Sequence, residues 1–237
     1  MKKIFFKGIL AASAIILLAS CLPEREYLYS DAVMCTVINP VRLKSDGGNI
    51  YNIVENSTGS LIPDTLKRVM ISCDVLSATV STPSEYDIRI IDFLGAFSKD
   101  PVYAGSIEEG ATAGDDPVKV TQAWISGGYL NGYINLLLKN PSEVDHDFNL
   151  VYDDARSTSD TLYFRMCHDA QGESPDDSGL SAAHFITAGT YFSFPIESIL
   201  PQSDKSKAVY LEWEWFDSDD GSYSTETKTF SAKIVIQ

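Results

Sequence analysis

The 237-residue chain carries 18 basic and 33 acidic side chains, a formal charge of −15, with 44% hydrophobic and 11% aromatic residues. So acidic a balance excludes a nucleic-acid binder, which needs clustered Lys and Arg to neutralise phosphates. The aromatic and β-branched content excludes a disordered chain.

The first element is a tripartite leader. Lys2, Lys3 and Lys7 make a positive region, residues 8–18 an apolar run of eleven, and Ala19 and Ser20 lead to Cys21. A helix that crosses the hydrocarbon core needs about 20 apolar residues, so the run is short for a span and fits a signal-peptide core. Leu18-Ala19-Ser20-Cys21 resembles a bacterial lipobox, in which the chain is cut before a cysteine whose thiol carries diacylglycerol. An ordinary secretory signal with an incidental cysteine, or a short anchor, are the other readings. Removing residues 1–20 takes away three lysines and leaves 15 basic and 33 acidic side chains, a formal charge of −18. Such a chain is not drawn to anionic lipid by its charge, so the membrane contact expected here is the diacylglycerol on Cys21, with at least two acyl chains needed for stable anchoring. The 217 or so remaining residues suffice for one large or two modest domains.

Residues 22–31 read as a polar tether. Strands are predicted near 32–40, 48–55, 67–77 and 86–94, separated by turn chemistry at Asp46-Gly47-Gly48-Asn49, Asn56-Ser57-Thr58-Gly59 and Thr82-Pro83-Ser84. In the third run, Val69, Ile71, Cys73 and Val75 alternate onto one face, the pattern of a half-buried strand. Residues 98–117 are rich in Gly, Ala, Asp and Pro and read as a linker, with a domain boundary near residue 100. Strands resume near 118–126, 129–138, 147–153, 161–168, 185–194, 208–217 and 227–236. Leu211, Trp213 and Trp215 share one face of their strand; Tyr210, Glu212, Glu214 and Phe216 share the other. Many short strands at even spacing indicate an all-β fold with a β-sandwich in the second half. Helical character is confined to a turn near 178–184.

Three cysteines follow Cys21: Cys35, Cys73 and Cys167. The odd count leaves at least one outside any internal disulfide. Cys35 and Cys73 lie in neighbouring predicted strands and are compatible with a pair in an oxidising compartment, or with two small buried hydrophobes, the preferred reading.

Several segments resemble the NigD-like lipoproteins of Bacteroidetes: GNIYNIV over 48–54, PDTL over 63–66 ahead of Lys67-Arg68-Val69, DIRII over 87–91, Trp124 followed by GYLN over 128–131, and TLYFRMCH over 161–168. The resemblance spans the mature chain and implies a small N-terminal OB-like barrel followed by a C-terminal β-sandwich. The expected division is a lipoprotein signal peptide over 1–20, a tether over 21–31, an OB-like β-barrel domain over 32–97, the linker over 98–117 and a β-sandwich domain over 118–237. The family name implies an association with bacteriocin production or immunity. OB folds elsewhere bind oligonucleotides or oligosaccharides, but a fold does not transfer an activity.

No set of side chains converges on a catalytic pattern. His146, His168 and His184 lack metal or catalytic spacing, and His168 next to Asp169 reads as a hydrogen-bonded pair at a strand end. Asp217-Ser218-Asp219-Asp220-Gly221 superficially resembles a calcium loop, but Gly221 falls at position 5 and Lys228 at position 12, where an EF-hand needs Gly at 6 and Glu at 12. Glu212 and Glu214 stand on one strand face and read as solvent-facing, not as a glycosidase pair across a cleft. Trp213, Trp215 and the Tyr129 to Tyr133 segment suit either a core or a sugar-stacking platform, with the core preferred. Asp64-Thr65-Leu66 and Asp160-Thr161-Leu162 resemble a Bacteroidetes O-glycosylation triplet.

The expected protein is therefore a cell-envelope lipoprotein, anchored through Cys21 in the outer membrane and facing periplasm or exterior. It is expected to be a non-enzymatic binding or assembly module without cofactor, metal or catalytic residues, whose partner is an envelope protein. The alternatives are a glycan-binding lipoprotein and a bacteriocin-associated immunity lipoprotein.

Overall fold

The computed structural model describes residues 32–79, 81, 83–106, 112–139, 144–174, 184–199, 207–216 and 223–232. Strands β1 (Val33–Asn39), β2 (Arg42–Ser45), β3 (Ile50–Asn56), β4 (Arg68–Thr79) and β5 (Glu85–Phe97) close a barrel. β1 pairs antiparallel with β2 and β4, β2 with β3, and β4 with β5; a parallel β3–β5 pairing shuts the ring. The strand circuit β1-β2-β3-β5-β4 is that of an OB-like barrel.

Period-two alternation drives this closure. Cys35, Leu43, Val69, Ile71, Cys73, Ile88 and Ile90 point inward and form one buried cluster. Bulges between Ser72 and Cys73 and between Val75 and Ser77 bend the long β4–β5 ribbon, the local device by which a strand turns a barrel corner. No α-helix occurs among the described residues. Where the chain crosses from β3 to β4, Ile62 instead inserts its side chain into the barrel core and is 1% exposed.

The second half is a sandwich. Its strands are β6 (Val102–Tyr103), β7 (Val118–Ser126), β8 (Tyr129–Lys139), β9 (Asp147–Asp153), β10 (Thr161–Asp169), β11 (Phe185–Pro195), β12 (Lys207–Phe216) and β13 (Tyr223–Ala232). β12 and β13 pair antiparallel in continuous register, beside β10, β9 and β6, to make a five-stranded sheet. The facing layer, β11-β8-β7, is not separate from the barrel. β5 outlasts the barrel, and its Ala96 and Phe97 pair in parallel with Tyr191 and Phe192 of β11, so one eight-stranded sheet runs through both halves. Phe164, Phe192, Phe194, Leu211 and Trp213 lie among the buried residues between the layers.

The all-β reading and the eleven expected strands are found, the last beginning earlier, at Tyr223. Two strands went unanticipated. β2 has one apolar residue, Leu43, among Arg42, Lys44 and Ser45, and β6 is two residues long inside the segment read as linker; neither is long enough to show a period. The helical turn expected near 178–184 lies outside the described residues except for His184.

Ile62→Ala removes the side chain that plugs the barrel. It should cost about 2–5 kcal/mol, measured as a lower urea midpoint at unchanged slope.

Candidate functional site at the barrel–sandwich seam

Arg68 opens β4, and its side chain passes out of the barrel into the joint with the sandwich, where it is 1% exposed. Each nitrogen of the guanidinium has a partner. Its Nη2 lies 2.6 Å from Asp46 Oδ1 and donates to Asn131 Oδ1 at 3.2 Å; Nε donates to Ser193 Oγ and Nη1 to Thr36 Oγ1, both at 2.8 Å. Tyr129 lays its ring beneath the cation, 4.0 Å from the guanidinium carbon to the ring centroid, the geometry of a cation–π contact.

The counterion is equally well held. Asp46 Oδ2 accepts from Ser126 Oγ at 2.5 Å and from Asn131 Nδ2 at 3.1 Å, and Ser193 Oγ donates to Asn131 Oδ1 at 2.6 Å. Thr36, Asp46 and Arg68 belong to the barrel; Ser126, Tyr129, Asn131 and Ser193 belong to β7, β8 and β11. The β7–β8 turn must come very close to the β2–β3 turn for this. Gly127 has a φ of +57°, and a Cβ there would sit 2.9 Å from the Asp46 carboxyl carbon, so a side chain is excluded both by conformation and by space. Beside the polar node, Met34, Met70 and Ala96 pack with Trp124 and Tyr191.

Burying an ion pair gains little net stability, because desolvation offsets the Coulomb attraction. Removing either partner, however, would strand the other as an uncompensated buried charge. A cleft of about 330 Å³ opens on the node, lined by Val33, Met34, Asp46, Asn49, Tyr51, Trp124 and Ser126 among others, and by Ala32, the first described residue. A hollow of about 530 Å³ lies elsewhere, lined by residues including the exposed Asp100 and Glu197.

Other expected residues fall as follows. Trp213 is buried in the sandwich core and Trp215 packs against it, with the Lys119 ammonium 5.6 Å from its ring centroid. Tyr129 serves the Arg68 node, and Tyr133 contacts Tyr191 edge-on. Glu212 and Glu214 are taken by Arg156 at 3.0 Å and Arg165 at 2.6 Å. Cys35 and Cys73 are buried thiols and form no disulfide. Burial above all, with the Asp46 charge beside it, pushes the Cys35 thiol up to about 12, and burial pushes Cys167 up to about 11. Thr65 is exposed in a turn and Thr161 is half-buried at the start of β10. Cys21 and the loop 217–221 lie outside the described residues.

His168 departs from expectation. It does not pair with Asp169 at an exposed edge but is 1% exposed, with its Nε2 2.9 Å from His146 Nδ1. Asp169 Oδ1 instead accepts from the Gln171 amide at 2.8 Å. The two histidines are 22 positions apart and meet only because β9 and β10 pair. Among the described residues, no three His, Cys, Asp or Glu side chains form a metal-holding group.

A helix-free OB-like barrel that shares a sheet with a β-sandwich defines the structural class. Residues 102–227 match the family model of the NigD-like C-terminal beta sandwich domain. That is just over half of the sequence, and the chain belongs to the NigD-like family. No functionally curated protein matches. Among solved structures, a NigD-like immunity protein from Bacteroides caccae is similar at 22% identity, covering 85% of this chain and 95% of that one with a TM-score of 0.62. A protein from Parabacteroides distasonis described as toxin-related has 20% identity, 85% and 92% coverage and a TM-score of 0.59. One from Bacteroides fragilis described as a lipoprotein has 16% identity, 85% and 96% coverage and a TM-score of 0.56. At these identities the three show the shared fold.

Arg68→Met leaves Asp46 buried without its counterion, a loss of about 3–5 kcal/mol at the joint, and chemical denaturation should begin at lower denaturant. Adding Asp46→Asn to that variant should recover a large part of the loss, because the stranded charge is then gone.

Proposed function

We propose that this NigD-like protein is a lipid-anchored envelope protein, tethered through Cys21, that acts as a non-enzymatic binding or assembly module for another envelope protein. The reading rests on one structural observation above all. Barrel and sandwich are fastened by the buried Arg68–Asp46 node into a single unit whose surface cleft lies at the joint, beside Ala32, where residues 22–31 join the fold. Clefts between domains are preferred binding places. The carboxylates Glu212 and Glu214, which a hydrolytic reading would need, are neutralised by arginines, which favours binding over catalysis. The lipobox at 18–21 supports the anchor, and likeness to a B. fragilis protein described as a lipoprotein is consistent with it. The immunity name of the B. caccae relative makes a bacteriocin or its export machinery one class of protein partner.

Cys21→Ser should abolish palmitate labelling and move the protein from the membrane to the aqueous fraction. A variant that still incorporates palmitate and stays in the membrane would sink the anchoring reading.

A second reading, a glycan ligand, is favoured by the seam cleft, where Trp124 and Tyr51 stand with Asn49, Asp46 and Ser126. It moves the stacking surface away from Trp213, which is core. Titration of the protein's tryptophan fluorescence with an oligosaccharide panel should then show saturable quenching that Trp124→Ala removes; crosslinking to a protein with no saccharide response favours the first reading.

A further inference from the structure

At the end of the sandwich nearest the chain's entry into β7, three loops meet through buried side chains. His168 Nδ1 lies 3.0 Å from the Pro117 carbonyl oxygen, His168 Nε2 lies 2.9 Å from His146 Nδ1, and His146 Nε2 lies 3.4 Å from Glu173 Oε2. The His146 and Glu173 side chains are 4% and 6% exposed, and the His168 ring stacks on Phe148 at 4.9 Å and 7°. The backbone follows the same course. Asp116 N donates to His168 O at 2.9 Å, Ala170 N to Asp116 Oδ2 at 2.6 Å, and Asn149 Nδ2 to Ala113 O at 3.0 Å.

The hydrogens in this row can be counted. A carbonyl oxygen only accepts, so His168 Nδ1 carries a hydrogen. A neutral His168 ring then presents a bare Nε2, and His146 Nδ1 must donate to it. That leaves His146 Nε2 facing a carboxylate. Two neutral imidazoles bring two hydrogens, whereas three contacts need three. Without a third, the lone pair of His146 Nε2 would face a carboxylate oxygen, and two acceptors repel each other.

We propose that Pro117, His168, His146 and Glu173 form a proton-binding clasp, in which one additional proton held between His146 and Glu173 ties residues 113–117 and the 169–174 loop to the ends of β9 and β10. The proton does not reside on His168. Burial, reinforced by the neighbouring His146 charge, outweighs the Pro117 carbonyl and the Asp169 and Asp147 charges and lowers that ring to about 4. Among the described residues, the charged groups near the row include Asp147 on β9, held by Lys99 at 2.6 Å, Asp169 on β10, and Asp116, which is bound to the Ala170 amide. The clasp therefore has two limits of opposite sign. A histidine kept neutral, with its folded value below the ordinary 6.5, contributes stability that is present above pH 6.5 and lost as pH falls toward 4. A proton gained on folding contributes stability that is present at low pH and lost as pH rises.

Glutamine isolates the second limit. The Glu173→Gln amide can donate to His146 Nε2 without any added proton. Thermal melts of the full mature protein in detergent, from pH 6 to pH 9, should show the Tm of Glu173→Gln rising relative to the unsubstituted protein. The difference should grow by about 2–4 °C for each pH unit over which the third proton is lost. Glu173→Ala should be less stable than the unsubstituted protein at pH 6; if it does not fold, the glutamine comparison still decides. Below pH 6.5 the native and Gln proteins should weaken together, since both must keep His168 neutral. A Tm difference that stays constant or shrinks between pH 6 and pH 9 overturns the proposal.

Discussion

Arg68 sits where three demands coincide. It begins a barrel strand, so its backbone belongs to the β1–β4 ladder through Thr36. Its side chain is too long and too charged for the barrel core, yet it is almost wholly buried, so its five donors must be met by protein. The only groups in reach come from both halves of the chain: Thr36 and Asp46 on one side, Asn131 and Ser193 on the other, with Tyr129 beneath. A buried guanidinium tolerates no partial satisfaction. Its contacts tie barrel and sandwich together at this joint, beside the β5–β11 ladder and the packing of Met34, Met70 and Ala96.

The remainder of the architecture follows from that joint. The β5–β11 pairing covers only Ala96 and Phe97 against Tyr191 and Phe192, a short ladder that by itself would leave room for slippage. The node and the flanking apolar packing of Met34, Met70, Ala96, Trp124 and Tyr191 remove that freedom. Gly127 lets the sandwich turn approach Asp46, and Ser126 and Asn131 fix the carboxylate in place. Buried ion pairs fix one arrangement in some proteins, and this one borders a cleft lined by both halves.

How much of this was legible in the sequence depended on how far apart the partners lie. Alternation within a strand is local, so Val69, Ile71 and Cys73 in β4, or Leu211 and Trp213 in β12, could be assigned to a buried face from their spacing alone; Val75, expected on the same face as the first three, is exposed, beside the bulge between Val75 and Ser77. β2 and β6 could not, because four and two residues carry no period. Arg68 stands in sequence only as the second residue of a predicted strand, and Asp46 as the first residue of a Gly-rich turn. Arg68 and Ser193 are 125 positions apart, and nothing in either neighbourhood announces the other. His146 and His168 were hidden for the same reason, their meeting being decided by the β9–β10 register that sets His168 opposite Phe148. The segments that carry the family resemblance include Arg68, Trp124, Tyr129, Asn131 and His168. The resemblance thus marked the seam and the clasp without revealing what those residues do.

The seam should make barrel and sandwich one cooperative unit. Differential scanning calorimetry of the mature protein tests it most directly. One transition whose calorimetric and van't Hoff enthalpies agree, splitting into two on Arg68→Met, is the result expected. Two separate transitions in the unsubstituted protein would mean that the seam does not couple the two halves.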